Sequence, residues 1–201
     1  MTNGPLLRSF LALEIPSGLQ RLIADRTAPV RRALPSPLVR WVAAENIHLT
    51  VKFLGDVSPA NLTRLAEALQ REAAGLPAFP VQVGGLGAFP NTRRARVLWI
   101  GLQPPAELFT LQRLTESLCE RLGYEREARP FSAHLTIGRV GQHAGPGEHA
   151  RIHQALEQVQ IDLLGSPCLD ALCIFKSELR PTGSVYTRLY RLPLAAVAHP
   201  N

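Results

Sequence analysis

The sequence predicts an α+β fold of two similar lobes, each an antiparallel sheet flanked by helices, related by a pseudo-twofold axis and facing one another across a central cleft. Three observations carry that reading. A strand, helix, strand, helix order opens the chain and recurs in its second half. A short stretch, HLT followed by a β-branched residue, occurs at His48 and again at His134, 86 residues later in a chain of 201. The composition, 46% hydrophobic and 19% charged, supplies a core that a disordered chain lacks. The length suits one bilobal domain over residues 1–201 and leaves little room for a separate regulatory domain.

In the first half, Leu6 to Ile15 is an apolar run of strand length that stops at Pro16, and Pro16 with Ser17 suits a helix start. That helix is expected to reach about Leu34, before the PSP at 35–37. Leu38 to Val42 and Ile47 to Leu54 read as strands. Ser58 and Pro59 then read as the N-cap and first residue of a helix, with Leu62, Leu65, Ala66 and Leu69 on its packed face.

In the second half, Phe79 to Leu86 and Arg96 to Leu102 read as strands around a Gly- and Arg-rich loop, GAFPNTRRAR. Leu108, Leu111, Leu114, Leu118 and Leu122 mark a helix ending near Gly123. A strand follows over Ala133 to Val140, then a flexible GQHAGPG loop and a short helix from Glu148 to Gln158. Leu169 to Leu179 and Ser184 to Leu192 form a hairpin around RPTG.

The charge narrows the partners. A formal +6 at pH 7 favours a polyanion, and twenty of the 22 basic residues are arginines, whose planar fork suits phosphate. No stretch approaches the roughly 18 apolar residues of a membrane span, and the first residues lack the pattern of a signal peptide. Cys119, Cys168 and Cys173 form no CxxC pair, so neither a disulfide framework nor a structural zinc site is indicated. The expected protein is a reduced, cytoplasmic monomer that needs no cofactor or metal.

The repeat carries the chemistry. His48-Leu49-Thr50-Val51-Lys52-Phe53-Leu54-Gly55 matches His134-Leu135-Thr136-Ile137-Gly138-Arg139-Val140-Gly141. Side chains alternate along a strand, so each copy presents an imidazole and a hydroxyl on one face and two apolar residues on the other. Two such strands about a twofold axis bring two imidazoles and two hydroxyls to one cleft. That set suits in-line displacement at phosphorus: one neutral imidazole takes a proton from water, one imidazolium protonates the leaving oxygen, and the hydroxyls hold the non-bridging oxygens. An ordinary histidine pKa near 6.5 allows both states at neutral pH.

A bilobal chain with paired HLT[VI] strands resembles the two-histidine phosphoesterase superfamily, and within it the bacterial and archaeal RNA 2′,3′-cyclic phosphodiesterases, formerly described as 2′-5′ RNA ligases. The resemblance spans nearly the whole chain: Arg8-Ser9-Phe10-Leu11-Ala12, Asn46 to Gly55, Gly87-Ala88-Phe89-Pro90-Asn91, Arg129 to Thr136, and Ser177-Glu178-Leu179-Arg180-Pro181 leading to Val185-Tyr186. It implies metal-independent hydrolysis of RNA 2′,3′-cyclic phosphate ends to 2′-phosphates. It also implies His48 and His134 as acid and base, Thr50 and Thr136 on the phosphate, and Arg139 and Phe53 on the ligand; Tyr186 reads equally as a phosphate contact by that resemblance and as a packing residue of the hairpin. His48 is the favoured acid for the leaving 3′ oxygen and His134 the favoured base, although the symmetry of the motif does not separate the roles. Strict alternation puts Phe53 on the face opposite His48, so its use in the cleft demands a bulge. Competing readings are a 2′-5′ RNA ligase that joins tRNA halves and a noncatalytic nucleotide- or RNA-binding module.

Other residues take plainer readings. Arg93, Arg94 and Arg96 read as a solvated charge run, with an RNA-backbone contact as the alternative. His143, His149 and His153 read as solvated histidines, and His199 as part of a C-terminal tail. Trp41 and Trp99 read as packing residues, and Cys168 and Cys173 as small buried hydrophobes.

Overall fold

The computed structural model describes residues 5–180 and 183–196. Eleven strands and five helices follow in the order β1 (Leu7–Glu14), α1 (Ser17–Arg26), α2 (Ala28–Ala33), β2 (Val39–Trp41), β3 (His48–Val57), α3 (Pro59–Ala73), β4 (Phe79–Pro80) and β5 (Gln82–Phe89). After these come β6 (Val97–Gln103), α4 (Ala106–Arg121), β7 (His134–Val140), α5 (Pro146–Glu157), β8 (Leu163–Gly165), β9 (Cys168–Leu169), β10 (Ala171–Arg180) and β11 (Gly183–Pro193).

The strands pair in the order β11-β10-β1-β3-β7-β6-β5-β8, with β2 also on β7 and β4 paired with β9 apart from the rest. The expected two sheets are therefore two four-stranded lobes joined at their inner edges, β3 and β7. Those two strands share one antiparallel residue pair, Leu49 and Leu135. The pseudo-twofold axis passes beside that pair, which sets the two HLT segments next to each other.

Each half completes the other. Beyond α3 and the short β4, β5 pairs with β6 in the second lobe, while β10, near the end of the chain, returns to pair with β1 in the first. Helix α4 covers β3, and α1 lies against β8. The helix side of the lobes is the core, where Leu11, Leu13, Leu49, Leu98, Ile100 and Leu135 are fully or almost fully buried. Burying a leucine of this kind stabilises by about 1.5–3 kcal/mol.

Sequence expectations and structure differ in a few places. The single helix expected up to Leu34 breaks at Thr27 into α1 and α2, because Pro29 has no N–H to continue the ladder. Thr27 instead donates its hydroxyl to the Ile23 carbonyl (2.8 Å). Ser58 caps α3 as expected, its side chain accepting from the Asn61 N–H. The expected loop from Gly87 begins later, since Gly87–Phe89 belong to β5 and only the Asn91-capped turn of Thr92–Arg94 separates it from β6. The strand expected from Phe79 divides at Val81 into β4 and β5, and the one expected from Leu169 divides at Asp170 into β9 and β10; β8 was not expected and, at three residues, is too short for an alternation signal. The β10–β11 hairpin forms, but the Pro181-Thr182 part of its RPTG turn lies outside the described residues.

Candidate active site

His48 and His134 head the two central strands and are held alike. In each, Nδ1 lies 2.7 Å from the carbonyl oxygen two residues earlier, Asn46 for His48 and Ser132 for His134. A carbonyl only accepts, so each Nδ1 carries a proton, and each neutral ring presents Nε2 as a free base. His48 Nε2 lies 3.0 Å from Thr50 Oγ1, whose hydroxyl donates to it when the ring is neutral. Among the described residues, His134 Nε2 has no such protein partner.

Aromatic walls enclose the imidazoles. Phe10 stacks on His48 with ring centres 4.8 Å apart, and Tyr186 meets it edge-on at 5.2 Å. Phe89 meets His134 edge-on at 4.9 Å. Burial is the main cause that holds both histidine pKa values below the ordinary 6.5. The carbonyl bonds oppose that shift; the nearby Arg139 charge adds to it at both rings, as does His134 at His48. The Arg139 charge thus reaches both imidazoles, one in each lobe.

The bulge that Phe53 demands is present, and it is present twice. Between β1 and β3, Leu11 pairs with Lys52 and Ala12 with Thr50, leaving Val51 as an extra residue. Between β6 and β7, Leu98 pairs with Gly138 and Trp99 with Thr136, leaving Ile137 extra. The extra residue stands three places after the histidine in both copies, and it reverses the alternation beyond it. Val51 and Lys52 are both buried, and so are Ile137 and Gly138; Phe53 and Arg139 are exposed on the side of the histidines and threonines.

The residues turned inward do different work. Lys52 forms a buried ion pair with Glu116 of α4 (2.8 Å) and donates to the Glu125 carbonyl (2.8 Å). Gly138 lies where a Cβ would come within 2.9 Å of Val39 and 3.0 Å of Trp41. The matched glycines also diverge: Gly55 adopts φ +72°, open to glycine at little cost, whereas a Cβ at Gly141 would crowd the Pro37 carbonyl at 3.3 Å.

Other expectations sort as follows. Trp41 packs behind the sheet, its Nε1 donating to the Leu34 carbonyl (2.9 Å) and its ring facing Arg31. Trp99 instead lies on the cleft side, opposite Thr136, over Gly87, where a Cβ would collide with the indole. Sequence reasoning missed that floor, which exists only once β5 and β6 set Gly87 opposite Trp99. Cys173 is buried, its thiol pushed up to about 12 by burial and by Glu14, but Cys168 is exposed at the short β9 and corrects the buried reading. Among the described residues no group of three or more His, Cys, Asp or Glu could hold a metal ion. No helix among them is long and apolar enough to cross a membrane. His199 lies outside the described residues. A cavity of about 620 Å³ opens beside His48, lined by Asn46, Phe175, Tyr186 and Arg188 among others.

Comparison with known proteins shows the family. A family model described as LigT-like phosphoesterase matches the chain twice, over residues 13–99 and 100–186. An RNA 2′,3′-cyclic phosphodiesterase of Methanothermobacter thermautotrophicus is 32% identical over 183 residues, covering 90% of this chain and 95% of that protein. A protein of the same name from Thermotoga maritima is 29% identical over 92% of this chain and 94% of its own. The crystal structure of Escherichia coli LigT complexed with 3′-AMP has a TM-score of 0.74 at 28% identity, covering 94% of this chain and 98% of that one. With two copies of the family model end to end and a histidine-threonine strand in each, this chain belongs to the LigT-like phosphoesterase family.

Proposed function

We propose that the cleft hydrolyses 2′,3′-cyclic phosphate ends of RNA to 2′-phosphates, with the two imidazoles as its acid and base. The observation that carries this reading is the matched tautomer of His48 and His134, each with Nδ1–H tied to a backbone carbonyl and Nε2 turned to the shared cleft. Relatives named RNA 2′,3′-cyclic phosphodiesterase, alike over nine-tenths of the chain, support the substrate class, as does the relative crystallised with 3′-AMP.

In the proposed reaction a water oxygen attacks phosphorus and gives its proton to one Nε2. The bond from phosphorus to the 3′ oxygen breaks, and that oxygen takes a proton from the other Nε2. Each transfer contributes roughly 10² to 10⁴ in rate. Thr50 and Thr136 hold the non-bridging oxygens, Arg139 balances their charge, and Phe53 faces the sugar or base. Both proton transfers fall to side chains, so no metal or cofactor takes part. His134 is assigned as base, because its Nε2 is open to a water, and His48 as acid. In the free protein both rings favour the neutral state; the phosphate anion between them raises both pKa values and lets one hold the proton that the leaving oxygen takes.

Both histidines come from one chain, which supports action as a monomer, and three free thiols are in keeping with a reducing, cytoplasmic setting. The test is the ³¹P spectrum of the product from an RNA ended by a 2′,3′-cyclic phosphate, in excess chelator. A 2′-phosphate is expected. A 3′-phosphate, a 2′-5′ junction as main product, or tight binding without turnover would overturn the reading.

A further inference from the structure

Arg40 and Arg139 are direct cross-strand partners in the β2–β7 pair. Trp41 and Val39 turn toward Gly138 on the helix side, so Arg40 between them turns to the cleft side, as Arg139 does. Both arginines are exposed. Facing partners in an antiparallel pair have Cα atoms about 5 Å apart. Two like charges at that spacing repel one another, and such pairs lower stability unless something anionic lies between them.

Among the described residues no protein group does so: like most arginines of the chain, neither has a carboxylate partner, and neither guanidinium takes part in a side-chain hydrogen bond; what sets these two apart is that they face one another across the β2–β7 pair. The row continues from Arg139 to Val97 on β6 and Phe89 on β5, so the arginines lie at one end of a strip that passes Trp99 and Thr136 to reach His134. Arg139 stands nearer the imidazoles and Arg40 one strand farther out.

We infer that Arg40 forms a second anion site that holds the phosphodiester on the 5′ side of the terminal nucleotide, with the Arg139 guanidinium shared between that phosphate and the reacting one. The inference rests on the hydrolase reading above and adds a specificity to it: a strand end, or a mononucleotide bearing a 5′-phosphate, is taken in preference to a bare nucleoside 2′,3′-cyclic phosphate. A phosphate is the fitting occupant because two guanidinium forks side by side match its oxygens, and an RNA end carries the next phosphate one nucleotide from the reacting one.

The test compares kcat/KM for three substrates: a nucleoside 2′,3′-cyclic phosphate, the same compound with a 5′-phosphate, and a short RNA with that end. Wild type is expected to prefer the two phosphate-bearing substrates. Arg40→Ala is expected to reduce that preference about tenfold, the worth of one charge-assisted contact. The same variant is expected to lower the slope of log KM against log salt for the RNA by about 0.7. Arg64→Ala, which removes an equal charge from an exposed position on α3, leaves the preference unchanged. Arg40→Ala is also expected to raise Tm, since it relieves the repulsion. Equal losses on all three substrates, an unchanged preference, or a lowered Tm would overturn the inference. If wild type hydrolyses none of the three, it is the hydrolase reading that fails.

Discussion

Phe53 and Arg139 occupy equivalent places in the two halves of the cleft, each five residues after its histidine and each turned to the cleft by a one-residue bulge. The repeat has kept the bulge and changed what it presents: an aromatic ring from one lobe, a guanidinium from the other. That asymmetry lets a pseudo-symmetric site bind an asymmetric substrate, with charge beside the phosphate and an apolar face beside the sugar or base.

Removing the charge should therefore act twice. Arg139→Ala is predicted to lower kcat/KM by about 10², the order of one lost electrostatic donor. It should also move both imidazole pKa values upward, because the arginine holds them down. Histidine titration by NMR checks the second effect without reference to turnover, and unmoved values would count against Arg139 as a shared neighbour. Phe53→Ala should raise KM more than it lowers kcat.

Buried neutral imidazoles also set a pH limit on stability. Both histidines have folded pKa values below their unfolded value of about 6.5. As the pH falls from 6.5 toward the folded values, the unfolded state binds more protons, so stability is complete above about 6.5 and declines below it. Denaturant midpoints between pH 7.5 and 5 should fall less steeply for a His48→Gln/His134→Gln double variant than for wild type. Equal slopes would contradict the burial account.

The proton roles separate by leaving group. With sulfur in place of the 3′ oxygen, the leaving atom needs no proton. His48→Ala should recover much of its lost rate on that substrate while His134→Ala stays impaired; the reverse pattern would exchange the acid and the base.

Lys52 makes a structural prediction. Its ammonium ties β3 to Glu116 on α4 and to the loop that leads into His134, with both side chains almost wholly buried. Removing one partner of such a pair costs about 3–5 kcal/mol, because the other charge is left buried and alone. Lys52→Met should approach that loss in chemical denaturation, and Lys52→Met/Glu116→Leu should recover most of it. Additive losses in the double variant would show that the two do not act as a pair.

The sequence was informative where the physics is local and repeated. The two HLT strands, the capped helix at Ser58 and the leucine stripe of α4 follow from alternation, capping and helical periodicity, and they are present except for Leu122, which lies just past the end of α4 and is exposed. The cleft position of Phe53 was legible only as a conflict with alternation, and the bulge that resolves it depends on pairing with β1. Partnerships between distant strands were the hidden part. Nothing near Arg40 points to Arg139, nor does anything near Gly87 point to the ring of Trp99, until β2, β5, β6 and β7 lie side by side. The crossing of β5 and β10 between lobes is equally a property of topology, not of any local pattern.

The central claim is that the two imidazoles act together on one phosphate. Its most direct measurement is single-turnover hydrolysis of a cyclic-phosphate-ended RNA by wild type, His48→Ala, His134→Ala and the double variant. The account predicts a loss of at least about 10² in each single variant, with the double little worse than the poorer single, as for groups that act as a unit. Wild-type rates in either single variant would contradict it.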